Sequence, residues 1–396
     1  MRSVRHPRAA AVLVGTALAI VATAPAYAAE ATGTVLHAGS ATAVDGTYLV
    51  TFTDGVQADK SRADRLSARY GGSVARVFGH AVEGYSAHLT ARQAARLAAD
   101  PSVARVEADQ TVRIADTQSA APWGLDRIDQ RALPLSGTYT YGPSTGTTVY
   151  VIDTGIRITH QDFGGRASYG YDAVDGDSVA QDGNGHGTFV SGVAAGSTYG
   201  VAKSANVVGV RVLDNNGSGT TAGVIAGIDW VTAHATVGRS VANLSLGGGT
   251  STTLDAAVRR SITAGIPYAI AAGNSGVNAS TSSPARVTEA LTVGATSNTD
   301  AKASWSNYGA VLDLFAPGVS ITSAWRTSDS ATYTGSGTSF SSPHVAGAAA
   351  LYLTAHPGAT VATVNTAIVN AATTGVVTSP GSGSPNRLLY TGSLSS

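Results

Sequence analysis

Short runs rich in β-branched and aromatic residues alternate with helix-length, alanine-rich segments over residues 116–396. This alternation is typical of a parallel β-sheet whose strands are joined by helices that cover both of its faces. The chain also contains 47 glycines without a collagen-like repeat, which indicates many tight turns and close backbone approaches. The sequence therefore predicts an α/β fold with a mainly parallel sheet in this region.

Four polar residues of this region stand where predicted strands end or predicted helices begin. Asp153 and Asn274 each follow a strand-like run, whereas His186 and Ser339 each lie in a glycine-rich loop that leads into a helical segment. The predicted strands are 147–152 and 267–272, and the predicted helices are 188–195 and 340–353. Because ligands bind at the carboxyl edge of such sheets, we expect the four side chains to converge there.

An aspartate, a histidine and a serine on one sheet edge are the parts for nucleophilic acyl transfer. Serine is a weak nucleophile, so a neutral imidazole must take its proton while a carboxylate holds the imidazole in place. Asn274 can donate an amide hydrogen bond to the oxyanion that develops. These residue types therefore predict Asp153 as the orienting acid, His186 as the base and Ser339 as the nucleophile.

Each of these residues taken alone has an ordinary structural explanation. A strand-end aspartate is often a turn former, and a serine after Gly-Thr is often a helix N-cap. Other hydrolase classes fit less well, because an aspartic protease needs a second Asp-Thr-Gly loop and an α/β-hydrolase carries Gly-x-Ser-x-Gly, whereas residues 337–341 read Gly-Thr-Ser-Phe-Ser. The joint order Asp, His, Ser with flanking glycines favours the catalytic interpretation.

Composition excludes several other functions. The chain has no cysteine, which rules out disulfide scaffolds, zinc fingers, iron–sulfur sites and thiol catalysis. Its 25 basic and 25 acidic residues balance, which argues against binding to nucleic acid. A length of 396 residues suggests two or three domains.

Residues 1–28 have the pattern of a secretory signal peptide. Arg2, Arg5 and Arg8 precede an apolar run over 9–23, and a small-residue site follows at 26–28. The alternative, a membrane anchor, would need about 20 apolar residues. We expect a secreted, extracellular protein that has no membrane anchor once the signal has been removed.

Residues 29–115 form a second predicted module, with its folded part at about 46–114. An edge-like strand at 46–53 is followed by a helix, a strand at 82–89, a second helix and a strand at 103–108. The order β-α-β-α-β in a short segment indicates a small α+β module of the ferredoxin-like type. Alone, such a module could be a carrier, an inhibitor or a chaperone.

The sequence resembles the subtilisin-like serine proteases over residues 116–390 and over the earlier module. The segments that carry the resemblance are VIDTG, DGNGHGT, AAGN and GTSFSSPHVAG, while WGLDRID and SNYGAVLDLFAPG are similar to the proteinase K branch and to aqualysin. The resemblance implies a three-layer subtilisin-like domain at 116–396 with a catalytic triad of Asp153, His186 and Ser339. It also implies an oxyanion hole made by Asn274 and the Ser339 backbone N–H.

The resemblance further implies a broad-specificity serine endopeptidase that is made as a zymogen and acts as a monomer. The module at 29–115 is then a propeptide that chaperones folding and inhibits the enzyme until it is cut off within 115–118. A catalytically inactive binding or inhibitory protein with the same fold is the alternative.

Substrate binding in this family uses backbone rails that pair with an extended peptide. The implied substrate-binding residues are Gly217, Ser218, Gly219, Ser245, Leu246, Gly247, Ala271 and Gly273. Small, uncharged residues around the pocket for the residue before the scissile bond favour aromatic or large aliphatic side chains. Strand packing is the structural alternative for Ala271 and Gly273.

Calcium is the expected source of stability in a chain without disulfides. Asp126, Asp129 and Gln130 have the i, i+3, i+4 spacing that places three oxygen-bearing side chains on one helical turn. An ordinary solvated helix face has the same spacing. In aqualysin-like relatives, however, this segment binds structural calcium together with a downstream serine, here Ser136.

The resemblance to proteinase K implies a second calcium site. Its ligands would be the side chain of Asp313 and the backbone carbonyls of Thr288 and Ala290. Thr288 stands where that relative has proline.

The sequence also predicts tolerance to peroxide. Met1 is the only methionine and leaves with the signal peptide, and Phe340 stands where many relatives have an oxidisable methionine. The mature enzyme then contains no sulfur, so peroxide can oxidise neither cysteine nor methionine. We expect activity to persist in dilute peroxide, and rapid loss at concentrations that spare tryptophan would contradict the prediction.

Overall fold

The computed structural model describes residues 31–39, 43–79, 82–110 and 116–395. The described residues divide into two compact units; one lies within Met1–Ala38 and Val44–Asp109, and the other within Gly39–Ala43 and Gln110–Ser396. The predicted signal peptide lies outside the described residues. Within the described ranges, none of the helices is both long enough and apolar enough to cross a membrane.

The N-terminal unit is a five-stranded sheet with two helices. Its elements are β1 (Val35–Leu36), β2 (Ala43–Phe52), α1 (Lys60–Arg69), β3 (Ser73–Phe78), β4 (Gly84–His88), α2 (Ala91–Leu97) and β5 (Val103–Gln110). The strand order is β1-β5-β2-β4-β3, and β4 pairs antiparallel with both β2 and β3. From β2 to β5 the order is β-α-β-β-α-β, which confirms the ferredoxin-like prediction.

Two details of this unit differ from the prediction. The strand β3 was missed, because its side chains are all exposed or half-buried and its sequence, with Arg76, lacks a clear apolar face. The prediction of β2 as an edge strand was wrong, because β2 lies between β5 and β4. Its alternation arises from one buried face, on which Val50 and Phe52 enter the core.

The second unit is a three-layer α/β domain. Its elements are β6 (Asp116–Ser119), α3 (Trp123–Ile128), β7 (Thr138–Tyr141), β8 (Thr148–Asp153), β9 (Ala167–Asp172), α4 (His186–Ala195), β10 (Asn206–Arg211), α5 (Thr221–His234), β11 (Ser240–Leu244), α6 (Thr252–Thr263), β12 (Tyr268–Ala271), β13 (Leu291–Thr296), β14 (Leu314–Pro317), β15 (Ile321–Ala324), β16 (Thr332–Gly335), α7 (Thr338–Ala355), α8 (Val361–Ala371), β17 (Thr373–Thr374) and β18 (Arg387–Leu388).

Nine strands form the main sheet in the order β17-β18-β14-β13-β12-β11-β8-β10-β9. Every neighbouring pair is parallel except β17 and β18. Strands β15 and β16 form a separate antiparallel hairpin, and β6 pairs antiparallel with β7. The predicted mainly parallel sheet is therefore confirmed.

Both faces of the main sheet are covered, so its strands are buried along most of their length. In β8, Val149 and Val151 join the core that contains α4 and α7, whereas Tyr150 and Ile152 join the core that contains α5 and α6. Successive side chains of a strand point to opposite faces, and here both faces meet helices. This explains why the strands read as continuous apolar runs.

The carboxyl edge of the sheet carries the predicted residues. Asp153 is the last residue of β8, His186 is the first residue of α4 and Ser339 is the second residue of α7. Asn274 follows the end of β12 by three residues. The helices begin two residues earlier than predicted, because the first turn of each includes the polar residues that had been assigned to the preceding loop.

Candidate active site

Asp153 and His186 are joined by a hydrogen bond. His186 Nδ1 lies 2.8 Å from Asp153 Oδ1, and the Thr154 backbone N–H donates to the same oxygen at 2.7 Å. The Asp153 side chain is fully buried, whereas the His186 side chain is 27% exposed. The carboxylate thus holds one ring nitrogen, and the ring keeps partial access to solvent.

The pKa of His186 is raised above its ordinary value. Removal of the ring from water acts to lower it, but the charge of Asp153, the hydrogen bond from Nδ1 and the more distant charge of Asp182 outweigh that effect. The imidazolium form of His186 is therefore stabilised. A general base needs this property, because it must accept a proton and hold it.

Asp182 fixes the loop that leads into α4. Its carboxylate accepts hydrogen bonds from the backbone N–H groups of Asn184, Gly185 and Thr188 at 2.7–2.9 Å, and from the Thr188 hydroxyl at 2.6 Å. The Thr154 hydroxyl also donates to it at 3.0 Å. Asp182 thereby ties the strand end after Asp153 to the helix start at His186. Sequence reasoning gave it no role.

Ser339 is held at the start of α7 by a reciprocal contact with Ser245. Ser339 Oγ donates to the Ser245 carbonyl at 3.1 Å, and Ser245 Oγ donates to the Ser339 carbonyl at 2.7 Å. The predicted nucleophile therefore lies against one of the predicted substrate rails, at the same sheet edge as His186.

Thr338 fixes the orientation of the Asn274 amide. The backbone N–H and the hydroxyl of Thr338 both donate to Asn274 Oδ1 at 2.8 Å. Because Oδ1 accepts two hydrogen bonds, the other amide atom, Nδ2, is the one that can donate. Nδ2 and Ser339 lie close to the same glycine, since a Cβ placed on Gly337 would lie 3.6 Å from Nδ2 and 3.8 Å from Ser339 Cβ. Sequence reasoning assigned no role to Thr338, although its position directly before Ser339 could have indicated one.

Two cavities share a wall, and together they contain all eight predicted substrate-binding residues. One, of about 550 Å³, is lined by His186 and by 217–219; the other, of about 500 Å³, is lined by Ala271, Gly273, Asn274 and Ser339. The segment 245–247 lines both. Apart from His186, no charged or titratable side chain lines either cavity in the described part of the chain.

The first predicted calcium site differs from the predicted geometry. Helix α3 ends at Ile128, so Asp129 and Gln130 lie beyond it and do not share a helical turn with Asp126. The three residues instead contact the segment 136–140, which leads into β7. The Asp126 carboxylate accepts from Ser136 and Gly137 at 2.7–3.0 Å, Gln130 accepts from the Ser136 N–H at 3.1 Å, and Asp129 accepts from the Thr140 N–H at 2.6 Å.

The electrostatics of that loop suit a cation. Burial and the negative charge of Asp126 raise the pKa of Asp129, against the opposing hydrogen bond from Thr140. The oxygens around this segment belong to carboxylate, amide and hydroxyl groups, which are the ligand types that Ca²⁺ takes. The residues present therefore fit a calcium ion.

The second predicted site lies at the amino edge of the main sheet. Thr288 and Ala290 precede β13, and Asp313 directly precedes the neighbouring parallel strand β14. The Thr292 N–H donates to Asp313 at 2.8 Å, yet burial raises the pKa of this carboxyl to about 6. Over the described residues, no cluster of three or more His, Cys, Asp or Glu side chains is present, so a calcium ion at either site would also need backbone, amide or hydroxyl oxygens.

Comparisons with known proteins identify the family of this chain. Residues 144–388 match the model of the subtilase family, and residues 47–115 match that of peptidase inhibitor I9. The chain belongs to the subtilase family. It is a subtilisin-like serine proteinase with an inhibitor-type propeptide module.

Relatives of this subtilase include the extracellular serine proteinase of Thermus sp. (strain Rt41A), which is 54% identical over 333 residues, or 84% of this chain and 81% of that protein. Alkaline serine exoprotease A of Vibrio alginolyticus is 50% identical over 84% of this chain, but the match spans only 63% of its length. A crystal structure of a cold-adapted subtilisin-like serine proteinase has 51% identity and a TM-score of 0.67, covering 69% of this chain and 99% of that one.

We predict a raised pKa for His186 that depends on Asp153. Titration of the His186 ring by NMR should give a pKa above the ordinary value of about 6.5. The change Asp153→Asn should lower it, because the charge and the hydrogen bond to the carboxylate are lost. Asp229→Asn, on an exposed helix face, is the matched control. An unchanged pKa in Asp153→Asn would contradict the assignment.

Proposed function

We propose that this subtilase is a secreted serine endopeptidase that cleaves proteins after aromatic or large aliphatic residues, with broad specificity. The observation that carries the proposal is the 2.8 Å contact between Asp153 and His186. His186 lines one cavity and Ser339 the other, and the two cavities share the segment 245–247. The names of its relatives, all proteinases, favour an active enzyme over an inactive binding protein.

In the proposed mechanism, the peptide carbonyl lies between Ser339 and Asn274. His186 takes the Ser339 hydroxyl proton as Oγ attacks the carbonyl carbon, and Asp153 stabilises the imidazolium. Asn274 Nδ2 and the Ser339 backbone N–H donate to the oxyanion, and such a donor is worth roughly 10²–10³ in kcat. His186 then protonates the leaving amine, and water releases the acyl group by the reverse steps.

Substrate selection follows from the two cavities. Segments 217–219 and 245–247 offer backbone groups that can add to an extended peptide, and such contacts do not depend on side-chain identity. The 500 Å³ cavity has uncharged walls that include Ala271 and Gly273. It therefore suits a large apolar side chain before the scissile bond, with little discrimination within that class.

Replacing the proposed nucleophile tests the mechanism directly. Ser339→Ala should lower kcat/KM by about 10⁶-fold, the scale seen when subtilisin loses its nucleophile. Ser336→Ala, the same change in the same loop, should leave activity near wild type. Activity of both variants and the wild type is measured on a chromogenic peptide and on an unfolded protein.

The same experiment separates catalysis from processing. Refolded Ser339→Ala precursor should remain full length, and a trace of wild-type enzyme that cuts it in trans should add no activity beyond its own. Wild-type activity should rise with pH through the raised pKa of His186, because only the neutral ring can act as base. Equal activity of Ser339→Ala and wild type would contradict the triad.

Maturation is the next part of the proposal: residues 1–28 are removed as a signal, 29–115 serve as chaperone and inhibitor, and 116–396 form the monomeric enzyme. Strand β6 supports a cut before Asp116, because all four of its residues pair with β7. A cut after Asp116, Thr117 or Gln118 would break the chain within β6 and divide its pairing with β7. N-terminal sequencing should find a mature chain that begins at or before Asp116, whereas a start at Thr117 or later would contradict it.

Calcium is proposed as a structural ion at both predicted sites. Asp126, Asp129, Gln130 and Ser136 would hold one ion, and Asp313 with the carbonyls of Thr288 and Ala290 would hold the other. Each ion would neutralise carboxylates whose ionised form burial opposes. Binding only to the folded state stabilises it by about 2.7 kcal/mol at a hundredfold excess over Kd.

Chelation should therefore speed the thermal unfolding of the mature enzyme, after a serine-directed covalent inhibitor has prevented autolysis. Asp313→Asn should reduce the effect of the chelator, whereas the exposed Asp229→Asn should not. The calcium effect should weaken as pH falls through about 6, since protonated Asp313 is a poorer ligand. An unfolding rate that chelation leaves unchanged would end the calcium proposal.

A further inference from the structure

Asn307 is a buried side chain that contacts the loop carrying the proposed oxyanion donor Asn274. It lies in the connection between β13 and β14, and only 1% of its surface is exposed. The cavity of about 500 Å³ that Asn274 and Ser339 line also has Asn307 in its wall. We call residues 272–277 the oxyanion loop. The mechanism described above gives Asn307 no part.

The Asn307 side chain bonds to backbone groups on both sides of Asn274. Its Nδ2 donates to the carbonyl of Ala272, two residues before Asn274, at 2.8 Å. Its Oδ1 accepts from the backbone N–H groups of Ser275 and Val277, both at 3.1 Å. One amide group therefore bridges the two arms of the oxyanion loop.

The backbone near Asn307 adds two further bonds to the same loop. The Asn307 N–H donates to the Gly273 carbonyl at 2.9 Å, and the Gly276 N–H donates to the Trp305 carbonyl at 2.8 Å. The segment around Asn307 thus contacts the oxyanion loop through its main chain as well as through the amide. The amide is held in place at its own backbone, so it can act as a fixed template for the loop.

Gly273 permits this close approach. It has a positive φ of 102°, a conformation that glycine adopts readily. A Cβ at this position would lie 2.4 Å from Asn307 Nδ2, a distance that non-bonded atoms do not reach. A side chain at 273 would therefore displace the amide of Asn307, which gives this glycine a local role besides its place in the cavity wall.

Two residues then hold Asn274 from opposite ends. Thr338 bonds to Oδ1 of the Asn274 amide, and Asn307 holds the backbone on which Asn274 stands. An oxyanion donor is effective only at hydrogen-bond distance from the atom on which the charge develops. A misplacement of about 1 Å can lower the rate by about 10²-fold. The position of the oxyanion loop therefore matters for the reaction.

A buried asparagine that pairs with backbone groups is also an ordinary structural feature. Asn386 is an example, because it accepts from the Val377 N–H at 2.9 Å and donates to the Val377 carbonyl at 2.8 Å. Asn386 lines neither of the two cavities. Asn307 differs from it, because the three backbone groups that its amide contacts all belong to the oxyanion loop.

We propose that Asn307 is a positioning residue of the reaction, which acts through Asn274 by holding the oxyanion loop in place. The oxyanion forms only after attack on the carbonyl, so a displaced donor weakens the transition state more than the bound substrate. Loss of Asn307 should therefore lower kcat and leave KM nearly unchanged. This inference rests on the proposed function, because it concerns the oxyanion of the same reaction.

A double-mutant cycle with Asn274 tests this role. Asn274→Ala alone should lower kcat by about 10²–10³-fold, the scale seen when subtilisin loses its oxyanion asparagine. Asn307→Ala alone should lower kcat by about tenfold or more, through misplacement of the same donor. In the Asn274→Ala background, Asn307→Ala should change kcat by less than about threefold, because the donor that it positions is already gone.

The kinetic constants are measured with a chromogenic peptide, on mature enzyme whose active sites have been titrated. Asn386→Ala is the matched control, since it removes a similar pair of backbone bonds. Both Asn307→Ala and Asn386→Ala should lower the unfolding temperature, but only Asn307→Ala should lower kcat. Should Asn307→Ala fail to fold, Asn307→Ser carries the same cycle, because its shorter side chain leaves a smaller void and cannot bridge the loop.

The outcomes separate this inference from the proposed function. An equal loss of kcat in the presence and absence of the Asn274 amide would overturn the inference, because Asn307 would then act independently of it. A rise in KM with kcat unchanged would also overturn it and make Asn307 a part of the cavity wall alone. If Asn274→Ala keeps the wild-type kcat, or if the wild type cleaves no peptide, the proposed function fails and the inference fails with it.

Discussion

The site depends on a carboxylate that lies in the protein interior. Asp153 is fully buried at the end of a central strand, where an uncompensated charge would be strongly unfavourable. His186 and the Thr154 N–H both contact Oδ1, while no hydrogen-bond partner of Oδ2 occurs among the described residues. The imidazole is thus the main group that stabilises the negative charge of Asp153. This explains both the fixed orientation of the His186 ring and its raised pKa.

The rest of the domain brings this pair to the sheet edge that also carries Ser339 and Asn274. The parallel sheet places Asp153 and the approach to Asn274 on one edge, and α4 and α7 begin at that edge with His186 and Ser339. Hydrogen bonds from Asp182 and Thr338 then set the local geometry.

The sequence predicted the architecture because the pattern of strands and helices is local. It also predicted that Asp153, His186, Asn274 and Ser339 lie at the carboxyl edge of the sheet, because they follow strands or lie at the start of helices. It did not predict the roles of Asp182 and Thr338, which arise from hydrogen bonds across the fold. The prediction that Asp129 and Gln130 share a helical turn with Asp126 was wrong, because α3 is only six residues long and ends at Ile128.

The most direct test of the account is to identify the residue that a serine-directed phosphonate inhibitor modifies in the mature enzyme. The account predicts one adduct, on Ser339, whose rate of formation rises with pH through the raised pKa of His186 and falls sharply in Asp153→Asn. Peptide mapping by mass spectrometry reports the site. An adduct on another residue, or complete modification without loss of proteolysis, would contradict the account.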